Sequence, residues 1–317
     1  MLSILLLLVG FVVLIFGATK LVDAASSLAA RLGVPNIVIG LTIVAFGTSA
    51  PELVVNVIAA LNNSTEMVLG NVLGSNIFNV LGTLGVASLI YPLTVKTNTT
   101  WLEIPLSLLA AAAVLVMASD ISLGDAPLNV ISRGEGITLL LLFTVFLVYN
   151  FTVAIGNPGE EERSTVHYSY LKAFLFIALG LAGLVIGGRL IVDSAVRIAT
   201  FFGLSERIIG LTIVSVGTSL PELATAIVAV RKRNVDIAIG NAVGSNIFNI
   251  FLILGVSTVV NPLQVNPAAF TDIAVNLVAS LLLFIFIFTG KGRQLARWEG
   301  AILLTLYVAY LGMLISQ

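Results

Sequence analysis

Gly40–Leu53 reads GLTIVAFGTSAPEL, and Gly210–Leu223, 170 residues later, reads GLTIVSVGTSLPEL. Eleven of these fourteen positions match. A second block repeats at the same offset: Gly70–Asn79 is GNVLGSNIFN and Gly240–Asn249 is GNAVGSNIFN, with eight of ten positions identical. The register also holds outside the blocks, pairing Gly17 with Gly187, Asp23 with Asp193, Gly33 with Gly203 and Pro92 with Pro262. One sequence is written twice without a gap, and such self-similarity governs how the whole chain is read.

Both copies lie in apolar surroundings. Hydrophobic residues make up 58% of the 317 positions and charged residues only 10%, whereas a soluble domain carries about 25% charged residues. That excludes soluble enzymes and disordered scaffolds. The 15 basic and 16 acidic residues nearly cancel, so no basic footprint for nucleic acid exists. Cysteine is absent and His167 is the single histidine, which removes thiolate chemistry and argues against a histidine metal centre. An integral membrane protein with little outside the bilayer remains.

A bilayer-spanning helix needs about 20 mostly apolar residues. Ten stretches qualify: 3–19, 36–60, 67–91, 102–118, 136–155, 170–190, 207–229, 236–260, 271–289 and 298–315. The first lacks the basic start and clear cleavage site of a signal peptide and is kept as a span. None alternates as barrel strands do. The expected fold is therefore an all-α membrane protein, because helices satisfy their own backbone in lipid. Sorting the flanks leaves four basic residues, Arg133, Arg189, Arg197 and Arg207, on the side of both termini. The other side holds eleven, among them Lys20, Arg31, Lys96, Arg231, Lys232 and Arg233. The positive-inside rule places the richer side in the cytoplasm and both termini outside a plasma membrane. With five spans per copy, the second repeat enters from the opposite face. The expected organisation is a first five-helix repeat at 1–155, a short cytoplasmic linker at 156–169 and an inverted repeat at 170–317. Inverted repeats are common in secondary transporters, with the substrate site near the midplane.

Only two acids fall deep within these spans, Glu52 and Glu222, at the same repeat position. A carboxylate at that depth costs at least a few kcal/mol on insertion scales and should face a cavity or a cation. Two protonated glutamates bonded within a bundle are the plainer reading, but duplication of so costly a residue is hard to explain as packing. Thr48 and Ser49 precede Glu52 by four and three residues, so they share its helix face, and Thr218 and Ser219 do so for Glu222. Pro51 and Pro221 oppose regular helix, which predicts a break that frees carbonyls near Ala45 and Ser215 as ligands. In the second block Ser75 aligns with Asn79, and Ser245 with Asn249. Asn71, Asn76, Asn241 and Asn246 read better as bridges between helices than as ion ligands. All these donors are hard oxygens. Two bidentate glutamates, two amides and two carbonyls fit the six to eight oxygens that Ca²⁺ takes at roughly 2.3–2.6 Å. Na⁺ can use the same oxygens together with the hydroxyls, and no further cofactor is implied.

The paired GTSxPEL and GNxxGSNxFN blocks resemble the repeats of the cation/calcium antiporter superfamily, most closely its prokaryotic sodium/calcium exchangers. The resemblance covers the whole chain. It implies that Glu52 and Glu222 bind Ca²⁺, that Thr48, Ser49, Thr218 and Ser219 take part in sodium sites, and that Ser75, Asn79, Ser245 and Asn249 line the same centre. It also implies a motion in which the first spans of the two repeats slide across the rest. Some archaeal relatives carry aspartate where this chain has Asn249, so the core here has two formal acids and not three. The function expected is Na⁺/Ca²⁺ antiport, with a proton/calcium antiporter as the nearest alternative and a passive channel behind it. An intramembrane hydrolase fits poorly, because the lone histidine falls in a loop. The substrates are ions, the surroundings are lipid, and no protein partner is evident. The stretch 156–169 is too short for a regulatory domain, and Glu160, Glu161 and Glu162 read as a solvated linker.

Overall fold

The computed structural model describes residues 2–97, 99–124, 127–156, 167–202, 215–289 and 292–316. It is almost wholly helical. In chain order the long helices are α1 (Leu2–Leu32), α2 (Asn36–Leu61), α3 (Thr65–Ile90), α4 (Thr99–Met117) and α5 (Arg133–Gly156). They continue as α6 (Tyr170–Phe201), α7 (Leu220–Arg231), α8 (Val235–Val260), α9 (Ala269–Thr289) and α10 (Arg297–Ser316). Among the described residues nine of these are long and apolar enough to cross a membrane. The exception is α7, preceded by one helical turn at Ser215–Thr218. The start of the span expected at 207–229 lies outside the described residues, as do Gly210, Arg207 and most of the 156–169 linker.

Two helices run further than their apolar stretches. The first span was expected to end at 19, but α1 continues to Leu32, 31 residues in all. At 1.5 Å per residue that is about 47 Å, longer than the ~30 Å hydrocarbon layer. The polar residues that interrupt its hydropathy are accommodated locally. The Lys20 ammonium lies over the Phe16 and Phe176 rings, 5.5 and 5.3 Å from their centroids, and Asp23 pairs with Lys232 at 2.6 Å. Likewise α6 extends to Phe201, so Arg189 and Arg197 belong to a helix and not to a loop.

Helices α1 and α6 pack backbone to backbone. A Cβ on Gly17 would lie 2.8 Å from the Gly180 carbonyl oxygen, and one on Gly180 would lie 2.8 Å from the Leu21 nitrogen. Glycine is needed here because in lipid close backbone approach supplies the packing that water exclusion supplies elsewhere. Deeper in the protein, Gly40 of α2 meets Gly240 of α8, where an added Cβ would sit 3.3 Å from the other glycine's Cα.

The most buried helices are α3 and α8. Each changes from α to a wide π turn directly after its GSNI segment, at Phe78–Leu84 and Phe248–Leu254, positions 170 apart. Such bulges concentrate at functional sites, and Asn79 and Asn249 lie inside them. Two short antiparallel pairs tie the helix ends together. β1 (Leu93–Thr94) pairs with β4 (Gln294–Leu295), and β2 (Val130–Ile131) with β3 (Leu263–Gln264). Each pair joins a connection of the first half to one of the second.

Candidate cation site

The repeated blocks converge where α2, α3, α7 and α8 meet. Thr48, Ser49 and Glu52 are buried on one face of α2, and Ser219 and Glu222 are buried at the start of α7. Helix α3 contributes buried Ser75 and Asn79, and α8 contributes buried Ser245 and Asn249. Hydrogen bonds cross between the blocks around Glu222. Ser49 Oγ donates to Glu222 Oε1 at 3.3 Å, Ser245 Oγ donates to the same oxygen at 3.4 Å, and Thr48 Oγ1 donates to Asn241 Oδ1 at 3.0 Å. Asn241 Nδ2 in turn donates to the Glu222 backbone carbonyl at 3.4 Å. Ser49, on the same face of α2 as Glu52, thus ties the first block to the Glu222 carboxylate.

The two halves of the site differ. In the second, the helix is interrupted at Ser219 (φ −94°, ψ 10°) and resumes at Leu220, as Pro221 suggests. In the first, the expected break does not occur: the chain stays helical from Ala45 to Leu61 with Pro51 inside it. The irregularity lies earlier in the helix, at a π turn over Gly40–Val44. The carbonyl deprived of an amide partner by Pro51 is that of Gly47, four residues back, and the Ala45 carbonyl has the Thr48 hydroxyl 3.2 Å away. Ser215 opens the short turn before Ser219. Thr218 closes that turn.

Several buried oxygens find no hydrogen-bond donor among the described residues. Within the repeated blocks they are both carboxylate oxygens of Glu52, Oε2 of Glu222, Oδ1 of Asn79 and Asn249, and the hydroxyls of Ser75 and Ser219; others lie outside the blocks, among them Oδ1 of Asn56 and Asn276 and Oε2 of Glu103. The ion pairs among the described residues, Lys96 with Asp236 and Lys232 with Asp23, lie elsewhere. Burying a carboxylate without a donor or a counter-charge is costly. A cluster of such oxygens is chemically matched to a desolvated hard cation, which supplies charge without needing an acceptor.

Some polar structure escaped the sequence reading. Acids other than Glu52 and Glu222 are also buried, including Glu103 and Glu299. Tyr149 of α5 donates to Glu103 Oε1 of α4 at 2.7 Å, and Tyr310 of α10 donates to Asp272 Oδ1 of α9 at 2.7 Å. Glu299 accepts from the Ala296 amide and from the Thr289 hydroxyl. These acids stand at helix ends, where sequence position alone reads as interfacial. The bridging role expected of Asn71, Asn76, Asn241 and Asn246 is seen for the last three in their bonds between helices, but not for Asn71, whose Nδ2 is buried with no partner among the described residues.

A family profile described as sodium/calcium exchanger protein matches residues 2–152 and again 172–316. The chain belongs to the sodium/calcium exchanger family. Relatives cover it nearly end to end. The inner membrane protein YrbG of Escherichia coli K12 is 37% identical over 98% of this chain and 95% of its own length. The sodium/calcium exchanger MaX1 of Methanosarcina acetivorans is 35% identical over 98% of this chain and 97% of its own. The solved structure of the sodium-calcium exchanger NCX_Mj soaked with 10 mM Na⁺ and 10 mM Sr²⁺ superposes with a TM-score of 0.83 at 30% identity, covering 98% of both chains. This family member is thus a multi-pass membrane transporter and not an enzyme.

Proposed function

We propose that the chain exchanges Na⁺ for Ca²⁺ by alternating access around one central site built on Glu52 and Glu222. The observation that carries this reading is the set of buried, donor-free oxygens on Glu52, Glu222, Asn79 and Asn249. Ca²⁺ is held by both carboxylates and the two amide oxygens. Na⁺ uses the same centre with the hydroxyls of Thr48, Ser49, Thr218 and Ser219, helped by Ser75, Ser245 and carbonyls near Ala45 and Ser215. The two loads share oxygens, so one displaces the other. Either neutralises buried charge and permits the switch between outward and inward states, whereas the empty, doubly charged site resists it.

The architecture that suits this cycle is ten spans in two inverted repeats, 1–155 and 170–317, with both termini outside the plasma membrane. Hydrogen bonds between residues exactly one repeat apart, Asn76 to Asn246 and back, support a symmetric meeting of the two halves. The test is flux in sealed proteoliposomes. An imposed sodium gradient should drive calcium movement against its own gradient. Calcium flux indifferent to sodium but driven by a pH gradient would instead select proton coupling.

A further inference from the structure

Asn76 of α3 and Asn246 of α8 lie at the contact between these helices, both buried. Asn76 Nδ2 donates to the Asn246 backbone carbonyl at 3.2 Å, and Asn246 Nδ2 donates to the Asn76 backbone carbonyl at 3.4 Å. Their side-chain oxygens are used as well. Asn249 Nδ2 donates to Asn76 Oδ1 at 2.9 Å, and Asn79 Nδ2 donates to Asn246 Oδ1 at 3.1 Å. The four asparagines form a closed network between α3 and α8.

An asparagine amide has an accepting end and a donating end, and a half-turn exchanges them. In this network the exchange is blocked. A backbone carbonyl only accepts, so the Asn76 amide must turn its nitrogen to Asn246 and its oxygen to Asn249. Asn249 must then answer with its nitrogen, which directs its own Oδ1 the opposite way. The same sequence of constraints runs from Asn246 to Asn79. The Oδ1 atoms left over, on Asn79 and Asn249, are buried without a donor among the described residues.

We infer that Asn76 and Asn246 are positioning residues that lock the amides of Asn249 and Asn79 with oxygen, and not N–H, presented to the transported cation. This rests on the two-glutamate reading above. The lock keeps the second block an all-acceptor surface. A freed amide would present its NH₂ group to the ion part of the time, and that group repels a cation.

The test is a double-mutant cycle on the calcium dependence of flux in proteoliposomes. Asn76→Leu removes the lock on Asn249, and Asn249→Ala removes the amide that the lock holds. Asn76→Leu alone should raise the calcium KM about tenfold while the maximal rate changes less than threefold. In the Asn249→Ala background, whose own KM is the reference, the same substitution should change KM less than twofold. A KM increase of equal size in both backgrounds, or none in either, overturns the inference. Asn246→Leu with Asn79→Ala forms an independent cycle with the same expectation, and alanine replaces leucine wherever leucine fails to give a monodisperse protein. Failure of the two-glutamate reading is separately visible as wild-type flux in Glu52→Gln; additive cycles with that variant inactive remove only the positioning role.

Discussion

Ser49 Oγ of the first block donates to Glu222 Oε1 of the second across 3.3 Å, so the hydroxyl of one repeat serves the carboxylate of the other. Ser219, its counterpart, is buried with no partner for its hydroxyl among the described residues. The two serines are therefore not equivalent, although their motifs are nearly identical. Ser49→Ala removes one of two hydroxyl donors to Glu222, worth about 1 kcal/mol at this distance, or roughly fivefold in apparent ion affinity. Ser219→Ala should weaken calcium dependence less. Comparing calcium KM for the two variants checks this; equal effects would mean that the bond seen at Ser49 contributes nothing.

The contact between α1 and α6 makes a stability prediction. A methyl group on Gly17 has no room against the Gly180 carbonyl, so Gly17→Ala should cost about 1–3 kcal/mol through overpacking. Gly312, where an added Cβ meets nothing within 4 Å, serves as the control. Thermal unfolding in detergent should show a lower midpoint for Gly17→Ala and no loss for Gly312→Ala.

Much of this was legible in the residues, for a physical reason. Membrane burial makes a carboxylate so costly that Glu52 and Glu222 stand out in a single sequence, and duplication brings their hydroxyl and amide neighbours with them. What stayed hidden depended on partners distant in the chain. Lys20 and Asp23 interrupt the apolar run of α1, yet the helix continues because Phe176 and Lys232 receive them. Pro51 and Pro221 look alike, but only the second half is interrupted beside its proline. Glu103 and Asp272 read as interfacial until Tyr149 and Tyr310 are placed against them.

Those tyrosine pairs lie away from the proposed site and should matter for stability. Tyr149→Phe leaves the buried Glu103 without its hydroxyl donor, and Tyr310→Phe does the same to Asp272. Each should cost about 1–3 kcal/mol with calcium KM unchanged. Thermal unfolding and flux measured on the same preparations separate the two effects. An altered KM with an unchanged unfolding midpoint would assign the pairs to transport instead.

Asn249→Asp adds an ionisable group beside two acids. Ionised, it adds negative charge and strengthens cation attraction; protonated, it resembles the native amide. Apparent calcium affinity should therefore rise more steeply with pH in the variant than in the native protein. Parallel pH profiles for the two would place this side chain outside the ion's path.

The central assignment is tested most directly by sodium-gradient-driven calcium uptake in proteoliposomes containing the native chain, Glu52→Gln or Glu222→Gln, each checked for a monodisperse fold. Both variants should lose nearly all uptake while remaining folded. Uptake at the native rate in either one would contradict the two-glutamate site.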